Sequence, residues 1–237
     1  MGQKKLLRFK AIGNFANVLQ YPEDMPGRWN DFFKNKNPIT LELACGKGEY
    51  TVGLAALYPD RNFIGVDLKG NRIYAGALEA LNNNLRNAAF LRTHIDKIDE
   101  YFLSAEVNEI WITFPDPQLR TSRAKKRLTH PRYLRLYQNI LKPGGFVHLK
   151  TDSPALYYFT KLVADLYGIN ILDSSEDIYA RPENPEEMHI KTHYENLDIA
   201  ASNKIYYLKL NLPEKQIPIP DLKLQQLLKH IENTVQI

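Results

Sequence analysis

A doubly wound α/β fold, its sheet mostly parallel with an antiparallel last strand, is what this sequence predicts. Two observations carry the prediction. From Pro38 to about Leu210, short apolar runs alternate with stretches of helical periodicity, the pattern of βαβ units. The first of those runs ends in a tight turn, CGKGEY, with glycines at positions 46 and 48. Such a turn stands where open parallel sheets bind ligands, outside the carboxyl ends of the strands. The chain has 237 residues, 44% hydrophobic and 24% charged, a soluble globular balance for one domain with elaborations.

The elements follow in order. The first 36 residues, with KKLLRFK and several aromatics, read as an N-terminal arm. ITLELA (Ile39 to Ala44), NFIGVD (Asn62 to Asp67), AAFLRT (Ala88 to Thr93), EIWITF (Glu109 to Phe114) and GFVHLKT (Gly145 to Thr151) read as strands. Between them Tyr50 to Leu57, Asn71 to Leu85, Pro131 to Leu141 and Ala155 to Tyr167 carry helical periodicity. LKPGG, Leu141 to Gly145, is a helix stop and then a strand start, because proline cannot continue the helix and the glycines permit the reversal. A sixth strand is expected near Ile169 to Leu172, followed by a polar loop rich in Pro and Glu from Glu176 to Glu187. KIYYLKLNL, Lys204 to Leu212, alternates like a strand at or near an edge, antiparallel as in many mixed sheets. The core domain is thus expected over residues 37–212, and residues 213–237 read as a spacer, PEKQIPIP, and an amphipathic helix, DLKLQQLLKHIENTV. That helix could pack in cis or across a dimer, so monomer and homodimer both stay open.

Several classes are excluded. The apolar stretches fall short of the roughly 18 consecutive residues of a membrane span, and MGQKKLLRFK lacks a signal-peptide core, so no membrane partner and a cytoplasmic location are expected. The single Cys45 allows neither a disulfide framework nor a cysteine zinc site, and no metal is expected. The net charge of +4 is modest, but RTSRAKKR concentrates Arg120, Arg123, Lys125, Lys126 and Arg127 with no acid among them. A run of this kind is often a solvated face; directly behind a candidate active-site loop it is well placed to meet phosphates.

The ligand of the glycine turn can be narrowed. A dinucleotide fingerprint has a third glycine, which Thr51 replaces here, and Glu42 ahead of the turn would repel a pyrophosphate. S-adenosylmethionine, with an ammonium, a sulfonium and a ribose diol, suits Glu42 beside Gly46 and Gly48, and Asp67 at the end of the second strand. Asp96, after the third strand, could accept from the adenine amino group. Glu42 as a surface acid and Asp67 as a helix cap are plausible singly, but much less so together around one turn. A Rossmann-like methyltransferase fold is therefore the favoured class. At the end of the fourth strand ITFPDPQLR holds Asp116 between Pro115 and Pro117, on a loop of restricted φ facing the reactive end of such a cofactor.

FPDP with its basic run, LELACGKGEY, LKPGG followed by TDS (Thr151 to Ser153), and THYE (Thr192 to Glu195) together resemble the bacterial tRNA guanine-N7 methyltransferases, in family order from about Leu41 to Leu210. The resemblance implies S-adenosyl-L-methionine as cofactor and tRNA as partner, with methyl transfer to N7 of guanine 46 in the variable loop. It implies that Glu42, Asp67, Asp96 and Asp116 contact the cofactor and that Asp116 is catalytic. It further implies substrate contacts at Arg120, Asp152, Thr192, His193, Tyr194 and Glu195. Two departures stand out: Gln118, Leu119 and Arg120 occupy the family's usual Trp, Pro and Lys, and Asp67 its usual Glu. The alternatives are a Rossmann-fold methyltransferase acting on a small molecule or protein, and a catalytically silent RNA-binding module on the same fold.

Overall fold

A computed structural model of the chain describes residues 2–193, 195 and 204–235. The described residues form an eight-stranded sheet of β1 (Val18–Gln20), β2 (Ile39–Leu43), β3 (Asn62–Asp67), β4 (Ala88–Arg92), β5 (Val107–Thr113), β6 (Leu141–Thr151), β7 (Asn170–Ser175) and β8 (Tyr206–Asn211). Its spatial order is β1-β4-β3-β2-β5-β6-β8-β7. The first six strands in that order pair in parallel, and β8 runs antiparallel to both β6 and β7. The fold is the expected doubly wound one, its last strand antiparallel. The helices are α1 (Gly2–Ala11), α2 (Trp29–Phe33), α3 (Glu49–Leu57), α4 (Gly70–Asn82), α5 (Pro131–Ile140), α6 (Pro154–Tyr167) and α7 (Leu222–Val235).

Both faces of the sheet are covered, which is why β2 and β3 are continuous buried runs rather than alternating ones. Alternate residues feed two cores. Leu41, Ile64, Leu91, Ile112 and Leu149 meet Leu134 and Tyr137 of α5 and Leu156 and Val163 of α6. Phe63, Phe90 and Trp111 meet Tyr50 and Leu54 of α3 and Ile73 and Ala77 of α4. Both flanks enter this body. Trp29 is fully buried, donates its indole N–H to the carbonyl of Tyr101 at 2.9 Å and stacks on Phe102. In the tail, the Arg135 guanidinium pairs with Asp221 and donates to the Ile217 carbonyl, and Leu224 is fully buried.

β8 lies near an edge as expected, one strand in, because β7 pairs on its outer side. Two details differ from expectation. β1 closes the opposite edge from within the first 36 residues, and three residues are too few to show a period. Finally, β6 starts at Leu141 itself, which pairs with Val107 before a register shift lets Lys142 to Gly145 bulge out and Phe146 pair with Glu109. No helix among the described residues is long and apolar enough to cross a membrane.

The glycine turn explains its own departure from the dinucleotide pattern. Gly48 caps α3 with φ 78°, a left-handed conformation that suits glycine. At the position of the third glycine, the Thr51 side chain packs on Gly65 of β3, where an added Cβ would stand 2.7 Å from the Thr51 hydroxyl oxygen. Position 51 is thereby free to be threonine.

Candidate active site

A cleft of about 750 Å³ opens at the carboxyl ends of β2, β3, β5 and β6, the place where doubly wound sheets bind ligands. Its floor near β2 is Ala44, Cys45 and Gly46; Asp67 closes one side, Phe114 to Pro117 the other, and Asp152, Ser153 and Thr192 form the far wall. Ala44, Phe114 and Gln118 all have positive φ without being glycine, so strained backbone gathers at the ends of β2 and β5.

Asp67 is almost fully buried and already orders the turn: its Oδ2 accepts the Gly46 N–H at 3.0 Å and its Oδ1 the Lys69 N–H at 2.7 Å. Its remaining lone pairs are available to the cleft it lines. Asp116 sits on the proline-bracketed loop, exposed, its Oδ1 accepting the Gln118 N–H at 3.0 Å. The loop is held from behind by Arg127, whose guanidinium donates to the carbonyls of Pro117, Gln118 and Leu119 and lies over the Phe159 ring. The basic run therefore divides. Arg120, Arg123, Lys125 and Lys126 are exposed at and on the turn Thr121–Lys126, whereas Arg127 is buried and supports the FPDP loop.

Glu42 lies beneath the floor rather than in the lining. Its Oε2 accepts the Thr51 N–H at 2.8 Å and the Thr51 hydroxyl at 2.5 Å, and its Oε1 accepts the Thr113 hydroxyl at 2.6 Å. Burial is the largest influence on this carboxyl and pushes its pKa up to about 7, against the hydrogen bonds from Thr113 and Thr51. The folded protein then holds a proton that the unfolded chain releases near 4.5, so this stabilisation is complete below 4.5 and is lost as pH rises through 7. Between pH 5 and 8, wild type is expected to lose about 2 kcal/mol of unfolding free energy relative to Glu42→Gln, measured by urea denaturation at both pH values. Parallel curves would show that Glu42 ionises normally.

Of the other residues singled out in the sequence, Asp152 and Thr192 line the cleft, and Gly48, in the turn and capping α3, is not in the lining. Asp96 is exposed in the turn after β4, 3.8 Å from the Arg132 guanidinium, and is not in the lining. Arg120 and His193 are exposed outside the lining, and Tyr194 lies outside the described residues. Glu195 is turned away from the cleft into an ion pair with Lys150, at 3.2 Å. Residues that the sequence did not single out complete the site. Glu49 and Lys69 line it, and Thr51 and Thr113 hold Glu42. A lysine in the apolar run GFVHLKT was the available signal for Lys150; no sequence signal separated Arg127 from its exposed neighbours.

Comparison with known proteins agrees with this geometry. Residues 36–208 match a family described as "Putative methyltransferase". A tRNA (guanine-N(7)-)-methyltransferase of Bacteroides fragilis is 41% identical over 235 residues, 95% of this chain and 92% of that protein. One of Christiangramia forsetii is 45% identical over 223 residues, covering 90% of this chain and all of that protein (100%). Among solved structures, the 16S rRNA methyltransferase KamB superposes with a TM-score of 0.60 at 15% identity, covering 83% of this chain and 99% of that one, a likeness of fold. With a cleft at the switch point of the sheet and relatives of this identity over nearly the whole chain, the protein belongs to the tRNA (guanine-N(7)-)-methyltransferase family.

Proposed function

We propose that the cleft transfers a methyl group from S-adenosyl-L-methionine to N7 of a guanine in tRNA, at position 46 of the variable loop as the family resemblance implies. The observation that carries the proposal is a single cleft lined by Asp67, Asp116, Asp152 and Thr192. The lining suits the cofactor: the carboxylates of Glu49, Asp67, Asp116 and Asp152 favour a cationic ligand, and Phe114, Pro115, Pro117 and Leu119 offer apolar surface. Asp67 and Gly46 would hold the ribose side, Gly48 keeps the turn open, and Glu42 acts from beneath through Thr51 and Thr113. Asp96, beyond the end of β4, would close on the adenine edge. The bound cofactor supplies a methyl group made electrophilic by its sulfonium.

What this chain's residues must do follows from guanine. N7 carries a lone pair and no proton, so no general base is required. Asp116 accepts from the guanine N–H groups, fixes the base with N7 toward the cofactor side of the cleft, and opposes with its charge the positive charge that develops on the base. Orientation of this kind can supply up to about 7–11 kcal/mol of the barrier. Asp152 and Thr192 offer further acceptors for base or ribose. The exposed cations Arg120, Arg123, Lys125 and Lys126 flank this loop and fit the phosphate backbone of an RNA whose target base is unstacked. No observation favours a small-molecule or protein acceptor.

The test is to incubate the protein with tRNA and S-adenosylmethionine and map 7-methylguanosine by chemical cleavage. Modification at guanine 46 is expected, and unmodified tRNA would overturn the proposal. Replacing Lys125 and Lys126 by glutamine is expected to reduce the slope of log affinity against log salt by about 1 to 2, measured by filter binding. An unchanged slope would remove the turn from the interface.

A further inference from the structure

Lys150, the penultimate residue of β6, is completely buried, an uncommon place for an ammonium group. Its Nζ donates to the main-chain carbonyls of Met188 at 2.9 Å and Ile190 at 3.0 Å, and to Glu195 Oε2 at 3.2 Å. The Tyr179 hydroxyl lies further off, at 3.5 Å, and the three nearer acceptors match the three hydrogens of an ammonium. The rings of Tyr50, Phe114 and Tyr179 surround the same nitrogen at 5.5, 5.7 and 5.7 Å from their centroids. The other carboxylate oxygen of Glu195 takes a hydrogen bond from the Tyr179 hydroxyl. Neither Lys150 nor Glu195 lines the cleft.

What the ammonium grips is the strap that carries Thr192. Between β7 and Thr192 the chain has short 3-10 turns, Ile178–Ala180 and Glu186–His189, with no strand pairing to fix it. Its other anchors hold it against α3: the Tyr50 hydroxyl donates to the Glu187 carbonyl at 2.7 Å, and Ile190 covers Gly53. The end that enters the cleft is secured by Lys150, and the Glu195 N–H then donates to the Thr192 hydroxyl at 3.2 Å. Lys150 is at the same time bound to the opposite wall, because its own carbonyl accepts the N–H of Phe114, the first residue of the FPDP loop, at 2.8 Å. One residue thus links the loop of Asp116 to the strap of Thr192. A buried ion pair contributes little net stability but favours one arrangement over others, which is the requirement here.

We propose that Lys150 is a positioning residue of the reaction, that it sets the strap of residues 188–193 against the FPDP loop, and that Glu195 serves tRNA binding through Lys150 instead of touching the guanine. The inference rests on the proposed methyl transfer to tRNA. Its test compares steady-state methylation of tRNA by the full chain in wild type, Lys150→Met, Glu195→Ala and Glu195→Gln. Lys150→Met and Glu195→Ala are expected to raise KM for tRNA by about tenfold or more, with kcat at saturating tRNA within about threefold of wild type. Glu195→Gln, whose amide oxygen accepts the same hydrogen bond from Lys150, is expected to recover most of that loss. A wild-type KM in Glu195→Ala overturns the proposal. So does a loss of kcat of about tenfold in both Glu195 variants, the signature of direct contact with the reacting base. Should Lys150→Met not fold, the two Glu195 variants decide alone. A wild type that leaves tRNA unmethylated refutes the proposed function instead, before any variant is compared.

Discussion

Asp116→Asn is expected to lower kcat on saturating tRNA by about 10²-fold, equivalent to about 2.7 kcal/mol of transition-state stabilisation. The substitution keeps size and shape, and the amide oxygen can still accept the Gln118 N–H that sets the side chain on its loop. What it removes is the negative charge proposed to face a base that becomes cationic, together with one acceptor proposed for the guanine N–H groups. Because N7 needs no deprotonation, the residual rate is expected to show no new pH dependence between pH 6 and about pH 8, where neither Asn nor guanine N7 takes part in proton transfer. Cofactor affinity is expected to fall by less than about tenfold, since Asp67 and the glycine turn are untouched. Turnover at the wild-type rate would mean that Asp116 neither orients nor stabilises the base.

Asp67→Ala is expected to raise the Kd for S-adenosylmethionine by about 10²-fold, read by calorimetry. Two losses combine. The acceptor proposed for the ribose disappears, and the buried Gly46 N–H, now bonded at 3.0 Å, is left without a partner. A hydrogen bond to a charged group contributes about 1.5–3 kcal/mol and an unsatisfied buried donor costs about 1–3 kcal/mol, so a loss near 2.7 kcal/mol needs only part of the sum. Asp67→Asn, which can still accept from one amide, is expected to lose about tenfold. An unchanged Kd in the alanine variant would place the ribose elsewhere.

The sites of both substitutions could be read in advance. Asp116 is marked by its prolines, and the structure shows it on the strained loop those prolines imply, between positive-φ residues Phe114 and Gln118. Asp67 is marked by ending an apolar strand, and the structure shows it lining the cleft. Glu42 was equally visible as an acid ahead of the turn, yet its carboxylate is used up by Thr51 and Thr113, side chains nine and 71 residues away along the chain. The same limit applies to RTSRAKKR, where charge alone could not show that Arg127 turns inward onto three carbonyls while its neighbours stay exposed.

By itself the sequence determined the parallel-sheet fold, the cleft's place at the glycine turn and the acids on its two sides. These follow from local periodicity and turn chemistry, which act over a few residues. Only the tertiary structure decided that Gly65 makes room for Thr51 where a third glycine would stand, that β8 lies between β6 and β7, and that Lys150 ties Met188, Ile190 and Glu195 to the FPDP loop. Each of these depends on which distant segments meet, and a buried charge such as Lys150 takes its role from the partners that folding brings to it.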